Sequence, residues 1–221
     1  MFITLEGIEG SGKTTQIRHL KTYFESRGYR CLVTREPGGT VIGEKIRSIV
    51  LNPQNRDLVP PAELLLYMAD RAQHIHSLIQ PALAGGRIVL CDRYFDATLV
   101  YQGFARGLDI RLIENLHALL FDNLKPNVTL LLDLSPRIGL ARAWKQLDDG
   151  SRAGGESRFE EEAVAFHEKV RSGYLELARL EPERFRIIDA SRDEQQVKTE
   201  IEKEISGWEV LNAEVGMRKS E

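Results

Sequence analysis

Gly7-Ile8-Glu9-Gly10-Ser11-Gly12-Lys13-Thr14 fits the pattern G-x-x-x-x-G-K-[ST], and its setting decides the fold. In front of it lies Phe2-Ile3-Thr4-Leu5, an apolar run suited to a buried strand. Behind it, from Lys13 to about Arg27, Ile17, Leu20 and Phe24 recur at helical spacing until Gly28 ends the pattern. Strand, glycine loop and helix in that order form a phosphate cradle. Glycines let the backbone curl so that successive N–H groups face phosphate oxygens, and the helix N-terminus adds favourable partial charge. Lys13 is spaced to reach the β- and γ-phosphates, and the Thr14 hydroxyl to hold Mg²⁺. A plain glycine-rich turn would need neither the strand nor the helix. The pattern points to a nucleoside triphosphate such as ATP, bound by Gly7, Ile8, Glu9, Gly10, Ser11, Gly12, Lys13 and Thr14, and leaves open what is done with it.

Working outward, four more β-rich runs follow: Arg30–Thr34, Arg87–Cys91, Val128–Leu134 and Phe185–Ile188. They are near-continuously apolar rather than alternating, as strands covered on both faces are. Helical patterns separate them. Pro60-Pro61 opens a long helix to about Ala84 with Leu64, Met68, Ala72, Ile75 and Ile79 on its core face. Asp109 can cap a helix to about Phe121, Ser135-Pro136 starts another, and Ser191-Arg192-Asp193-Glu194 reads as a capping box for the last. The alternation predicts an α/β protein, a doubly wound five-stranded parallel sheet with helices on both faces. Asn52–Val59 and the polar, glycine-rich Asp148–Ser157 are expected to be mobile; the latter, with Arg152, suits a lid.

Composition narrows the class. The chain has 221 residues, net charge −3 and 42% hydrophobic residues, the profile of a folded globular protein with no general affinity for nucleic acid. Cys31 and Cys91 each sit in an apolar run, too far apart in sequence for a zinc set or disulfide framework, and read as buried thiols. The stretch Val128–Leu132 is far shorter than the roughly 20 residues a membrane span needs. No basic leader precedes the glycine loop, so a cytoplasmic location is expected.

No N-K-x-D guanine motif is present, which argues against a GTPase, and the length argues against a motor. A compact kinase of a small phosphorylated metabolite remains. The sequence resembles bacterial thymidylate kinases, which are P-loop nucleoside monophosphate kinases. The resemblance rests on FITLEGIEGSGKTT (2–15), TREPGGT (34–40), ELLLYMADRAQH (63–74), VLCDRYFDATLVYQG (89–103) and SRFEEEAVAFHEKV (157–170). It implies the P-loop NTPase fold, one kinase domain over 1–206 with a lid at about 148–158, a tail over 207–221, and a homodimer. It implies the reaction ATP + dTMP → ADP + dTDP with Mg²⁺. Two rivals stay open: another acceptor such as dUMP, and an NTP-dependent switch protein with no small acceptor.

Individual residues fit this frame. Asp92-Arg93 ends a predicted strand, where ligands of open α/β sheets sit; Asp92 can hold Mg²⁺ through water and Arg93 can grip an acceptor phosphate. Tyr67 and Arg71 are four apart and share a helix face, as do Thr98 and Gln102. Gln102 carries both a donor and an acceptor, matching a pyrimidine N3–H/O4 edge. The resemblance places thymine against Tyr67 and Arg71, the loop with Glu36 and Pro37 beside dTMP, and Arg47 near the acceptor. Tyr101 could pack under the sugar. Glu9 is unusual in a phosphate cradle and needs a compensating group; the family has an acid there near the deoxyribose. The loop itself has no arginine, so transition-state charge must be met elsewhere, from Arg93 and from the lid arginines Arg152 and Arg158, with Arg142 bordering the lid on the nucleotide side. The five histidines show no metal spacing and receive no catalytic role.

Overall fold

The computed structural model describes residues 1–148 and 154–211, with backbone alone at 154 and 208–211. Five strands, β1 (Phe2–Glu6), β2 (Cys31–Arg35), β3 (Ile88–Asp92), β4 (Val128–Asp133) and β5 (Phe185–Asp189), form one parallel sheet in the order β2-β3-β1-β4-β5. Every residue of β1 is buried. Successive residues of a strand point to opposite faces, so burial of all five means that both faces are covered. Each strand lies within one residue of its predicted end on at least one side.

The helices are α1 (Lys13–Glu25), α2 (Val41–Val50), α3 (Pro60–His74), α4 (Gln80–Ala84), α5 (Phe95–Thr98), α6 (Ile110–Phe121), α7 (Pro136–Asp148), α8 (Val164–Leu180) and α9 (Glu194–Leu211). Ile17, Leu20 and Phe24 of α1 are buried as their spacing required, and Asp109 caps α6 by accepting from the Arg111 amide. Three expectations shift. The long helix from Pro60 is interrupted by a π-helical turn, Ile75–Ile79, and its inner stripe runs through Arg71 while Ala72 is exposed. The last helix is capped by Asp193, whose carboxylate accepts from the Gln196 amide at 2.9 Å, two residues later than the expected box; Ser191 instead bonds Asp189. That helix also passes Ser206 and reaches Leu211, into the segment expected to be a tail.

Parallel pairing aligns the carboxyl ends. Leu5 and Arg35 both lie opposite Asp92, so the loops leaving β1, β2 and β3 share one edge of the sheet. Close packing fixes the first of these loops. Gly10 has φ +68, and a Cβ there would run into the Gly139 carbonyl of α7, so only glycine lets loop and helix approach this closely.

Candidate active site

Beyond that edge opens a cleft of about 1100 Å³. It gathers residues from six separate segments of sequence: Glu9, Gly10, Ser11, Gly12, Lys13 and Thr14 from the glycine loop; Glu36 and Pro37 after β2; Arg47 from α2; Tyr67 and Arg71 from α3; Asp92 at the end of β3 with Arg93 after it; Thr98, Tyr101 and Gln102 beyond. Gly7 and Ile8 lie behind the loop, outside this cleft.

The Lys13 ammonium donates to the Gly7 carbonyl (3.0 Å), the Ile8 carbonyl (2.8 Å) and Ser11 Oγ (3.3 Å), so it is held over the loop it serves. Burial lowers its pKa to about 8, Arg93 pushing the same way while Asp92, Glu9 and Glu6 resist. The Thr14 hydroxyl donates to Asp92 Oδ2 at 2.9 Å, an all-oxygen pair at the mouth of the loop.

Glu9 finds its compensation. Arg93 Nη2 donates to Glu9 Oε1 at 2.9 Å, the Tyr101 hydroxyl donates to the same oxygen at 2.6 Å, and His167 Nδ1 stands 3.1 Å from Oε2. Burial alone would raise the carboxyl, but Arg93, His167 and Lys13 together hold it well below the usual carboxylate range. His167 in turn is raised: burial opposes its charge, and Glu9 overcomes that. Sequence reasoning missed His167. Its signal lies in the stripe His167, Val170, Tyr174 and Leu177 of α8, all buried, which places an ionisable ring on a core face.

A second cluster is built around Arg71, which is 1% exposed. Its Nε donates to Glu36 Oε2 at 2.9 Å and its Nη2 to the Thr98 hydroxyl at 2.9 Å, while Nη1 is buried without a hydrogen-bond partner. His74 Nδ1 meets the other Glu36 oxygen at 2.9 Å and its Nε2 meets Thr34 at 2.6 Å. Glu36 thus has both oxygens engaged and anchors Arg71.

The lid arginines depart from expectation. Arg158 is 6% exposed and does not line the cleft. Its guanidinium lies 2.6 Å from the fully buried Glu63 and donates to the Val50 and Asn55 carbonyls, tying down the connection that was expected to be mobile. A buried carboxylate needs a cation more than the solvent-facing lid does. Arg142 also stands outside the cleft, donating to the Ala190 carbonyl at 3.0 Å. Arg152 lies outside the described residues. Arg47 is in the cleft and paired, with Nε and Nη2 on both oxygens of Glu156 at 2.8 and 2.7 Å.

The family model for thymidylate kinases matches residues 5–201. A thymidylate kinase of Desulfosudis oleivorans is 57% identical over 190 residues, covering 86% of this chain and 89% of that one, and one of Desulforapulum autotrophicum is 55% identical over 201 residues, covering 91% and 88%. The chain belongs to the thymidylate kinase family. A crystal structure of thymidylate kinase from Ehrlichia chaffeensis superposes with a TM-score of 0.72 at 32% identity, covering 93% of this chain and 98% of that one. Family membership gives the reaction class, phosphorylation of dTMP to dTDP with ATP as donor; neither another acceptor nor a switch protein finds support.

Behind the glycine loop lies a buried acid. Glu6, at the end of β1, accepts from the Tyr174 hydroxyl (2.7 Å) and the Tyr94 amide (2.8 Å). Burial and the charge of Asp96 push it up to about 8, against Arg93 and these two donors. Asp70 is pushed up to about 7, mainly by burial. The folded state keeps protons that the unfolded chain releases near pH 4.5 and 3.8, so this contribution is complete in acid and is lost as pH rises towards 8. The melting temperature is expected to fall between about pH 4.5 and 8, and Glu6→Gln to flatten much of that slope. An unchanged slope would place its origin elsewhere.

Proposed function

We propose that dTMP and ATP meet end to end in this cleft, a dTMP phosphate oxygen attacking the γ-phosphorus in line. One observation carries the arrangement: a single cavity of about 1100 Å³ is lined by Lys13, Arg93, Arg71 and Gln102 together. Such a volume is at the upper end for one small ligand and suits two nucleotides. The loop amides and Lys13 hold the donor phosphates. Arg93 stands where acceptor and transferring group would meet, its charge kept by Glu9. Arg71, with Nη1 still to be satisfied, takes a base carbonyl; Tyr67 and Thr98 flank the base, Gln102 reads its edge, and Tyr101 lies under the sugar. Glu36 and Pro37 shape the acceptor wall, with Arg47 beside them. No strong general base is needed, because a phosphate monoester is already largely ionised near neutral pH. Catalysis is positioning and charge neutralisation.

Thr14 and Asp92 fit Mg²⁺, a hard cation that keeps phosphate and water ligands and asks only one or two protein oxygens. When bound it would screen the phosphate charge. The segment at 148–158 serves as the lid of a single domain whose last helix runs on to Leu211, its described end resting on Arg47 through Glu156. Among the described residues no helix is long and apolar enough to cross a membrane, and both thiols are buried, which supports a cytoplasmic setting. An ADP-release assay over a panel of nucleoside monophosphates tests the proposal. Strong stimulation by dTMP is expected; a rate with dTMP no higher than without an acceptor overturns it.

A homodimer is part of the same reading. Ile42 and Ile49 of α2, Leu65 of α3 and Leu112 and Leu119 of α6 are exposed, so neighbouring helices leave apolar surface that a second copy would cover. Leu65 is 62% exposed, and Leu65→Glu should fold normally yet sediment as a monomer. A variant that stays dimeric would locate the interface elsewhere.

A further inference from the structure

Glu63 lies in the first turn of α3 and is fully buried. Two donors and one further cation surround its carboxylate: Gln102 Nε2 at 2.8 Å and Arg106 Nε at 3.4 Å donate to Oε1, and the Arg158 guanidinium pairs with Oε2 at 2.6 Å. A carboxylate paired with guanidinium groups offers only acceptor lone pairs. Of the two ends of the Gln102 amide, only the NH₂ can face it. Reversal would set two acceptors against each other in a buried place, with no proton between them and the NH₂ group pulled from its partner. Gln102 lines the cleft, and with one Nε2 hydrogen held by Glu63 the amide cannot turn over, so Oε1 is the acceptor it offers on its other side.

We propose that Glu63, braced by Arg158, is a positioning residue that fixes Gln102 as a hydrogen-bond acceptor and thereby selects a pyrimidine whose N3 carries a hydrogen. The inference rests on the proposed placement of the base beside Gln102 and deepens it. Thymine and uracil present N3–H to Oε1. Cytosine presents a lone pair at N3, which meets the Oε1 lone pairs with nothing shared. Arg71 judges position 4 independently through Nη1, since its own anchors are Glu36 and Thr98 rather than Glu63. The assignment also gives a use to the buried guanidinium of Arg158, which works on the choice of base from behind the wall and not on the transferring phosphate.

The test is Glu63→Gln, nearly isosteric, whose amide can donate to Oε1 or accept from Nε2 and so frees Gln102 to turn over. kcat/KM is measured for dTMP, dUMP and dCMP on wild type and variant. The dTMP-to-dCMP ratio is expected to fall about tenfold. The dTMP-to-dUMP ratio should stay within about twofold, because both bases carry N3–H and differ by a methyl group. An unchanged dTMP-to-dCMP ratio, or an equal fall in both ratios, overturns the proposal, since general loosening of the pocket moves both. If Glu63→Gln does not fold because it leaves the buried Arg158 guanidinium without its carboxylate, the double variant Glu63→Gln/Arg158→Gln reads the same ratios with both charges removed: a selective fall in the dTMP-to-dCMP ratio supports the assignment and an unchanged one overturns it. Failure of wild type to phosphorylate dTMP would instead sink the underlying reading, and it appears before any variant is made.

Discussion

Lys13→Ala is expected to lower kcat/KM for dTMP phosphorylation by about 10²- to 10⁴-fold, roughly 3–5 kcal/mol of transition-state stabilisation, the loss typical of one preorganised charge contact or somewhat more. The argument is one of preparation. Lys13 is 8% exposed and its ammonium is already fixed by the Gly7 and Ile8 carbonyls and Ser11, so the entropy of placing it has been met on folding. Burial has also stripped it of water and lowered its pKa to about 8, which makes an arriving polyphosphate a better partner than solvent. Alanine leaves the loop amides in place, so some donor binding should survive while turnover collapses. Turnover within about fivefold of wild type would remove Lys13 from the chemistry.

How far the sequence reached depended on how local the information was. The glycine loop, the five strands and the cap at Asp109 are each written in a few consecutive residues, and each appears within a residue or so of its expected place. Most of the cleft was legible too, because Asp92-Arg93 and Glu36-Pro37 follow strand ends and parallel pairing brings all such ends to one edge. What lay hidden are the partners that join distant segments. Glu63 drew no reading of its own; its role depends on Gln102 and Arg158, 39 and roughly 95 residues away, and no spacing rule links them. Arg158 was placed at the lid by its likeness to a family lid arginine, yet the pull of a buried carboxylate decided its position. Arg71 against Ala72 is a smaller case of the same kind. Helical periodicity put the alanine inward, but Glu36 and Thr98 accept hydrogen bonds at the inner position and the guanidinium takes it. Tertiary electrostatics overrode pattern wherever a buried ionic partner existed.

Arg93 gives the second large effect and a way to separate its two roles. Its backbone has φ +67, in the left-handed region, which costs a residue with a Cβ about 1–2 kcal/mol. A glycine would adopt that conformation freely. An arginine stands there because its side chain is held from several directions: Nη2 donates to Glu9, Nη1 donates to the Tyr174 hydroxyl at 3.2 Å, and the guanidinium lies 5.0 Å from the Tyr101 ring centroid. Arg93→Ala and Arg93→Gly should therefore both lose roughly 3–5 kcal/mol in kcat/KM, since either removes the cation from the meeting point of the two phosphates. Their stabilities should differ in a definite order. Both leave Glu9 without its closest cation, but only alanine keeps the strained backbone, so the glycine variant should be the more stable of the two by about 1 kcal/mol. Thermal or denaturant unfolding of the pair reads this directly. Substantial activity in either variant would detach Arg93 from the transfer, whereas an alanine variant as stable as the glycine one would mean that the left-handed turn carries no strain for the side chain to hold in place.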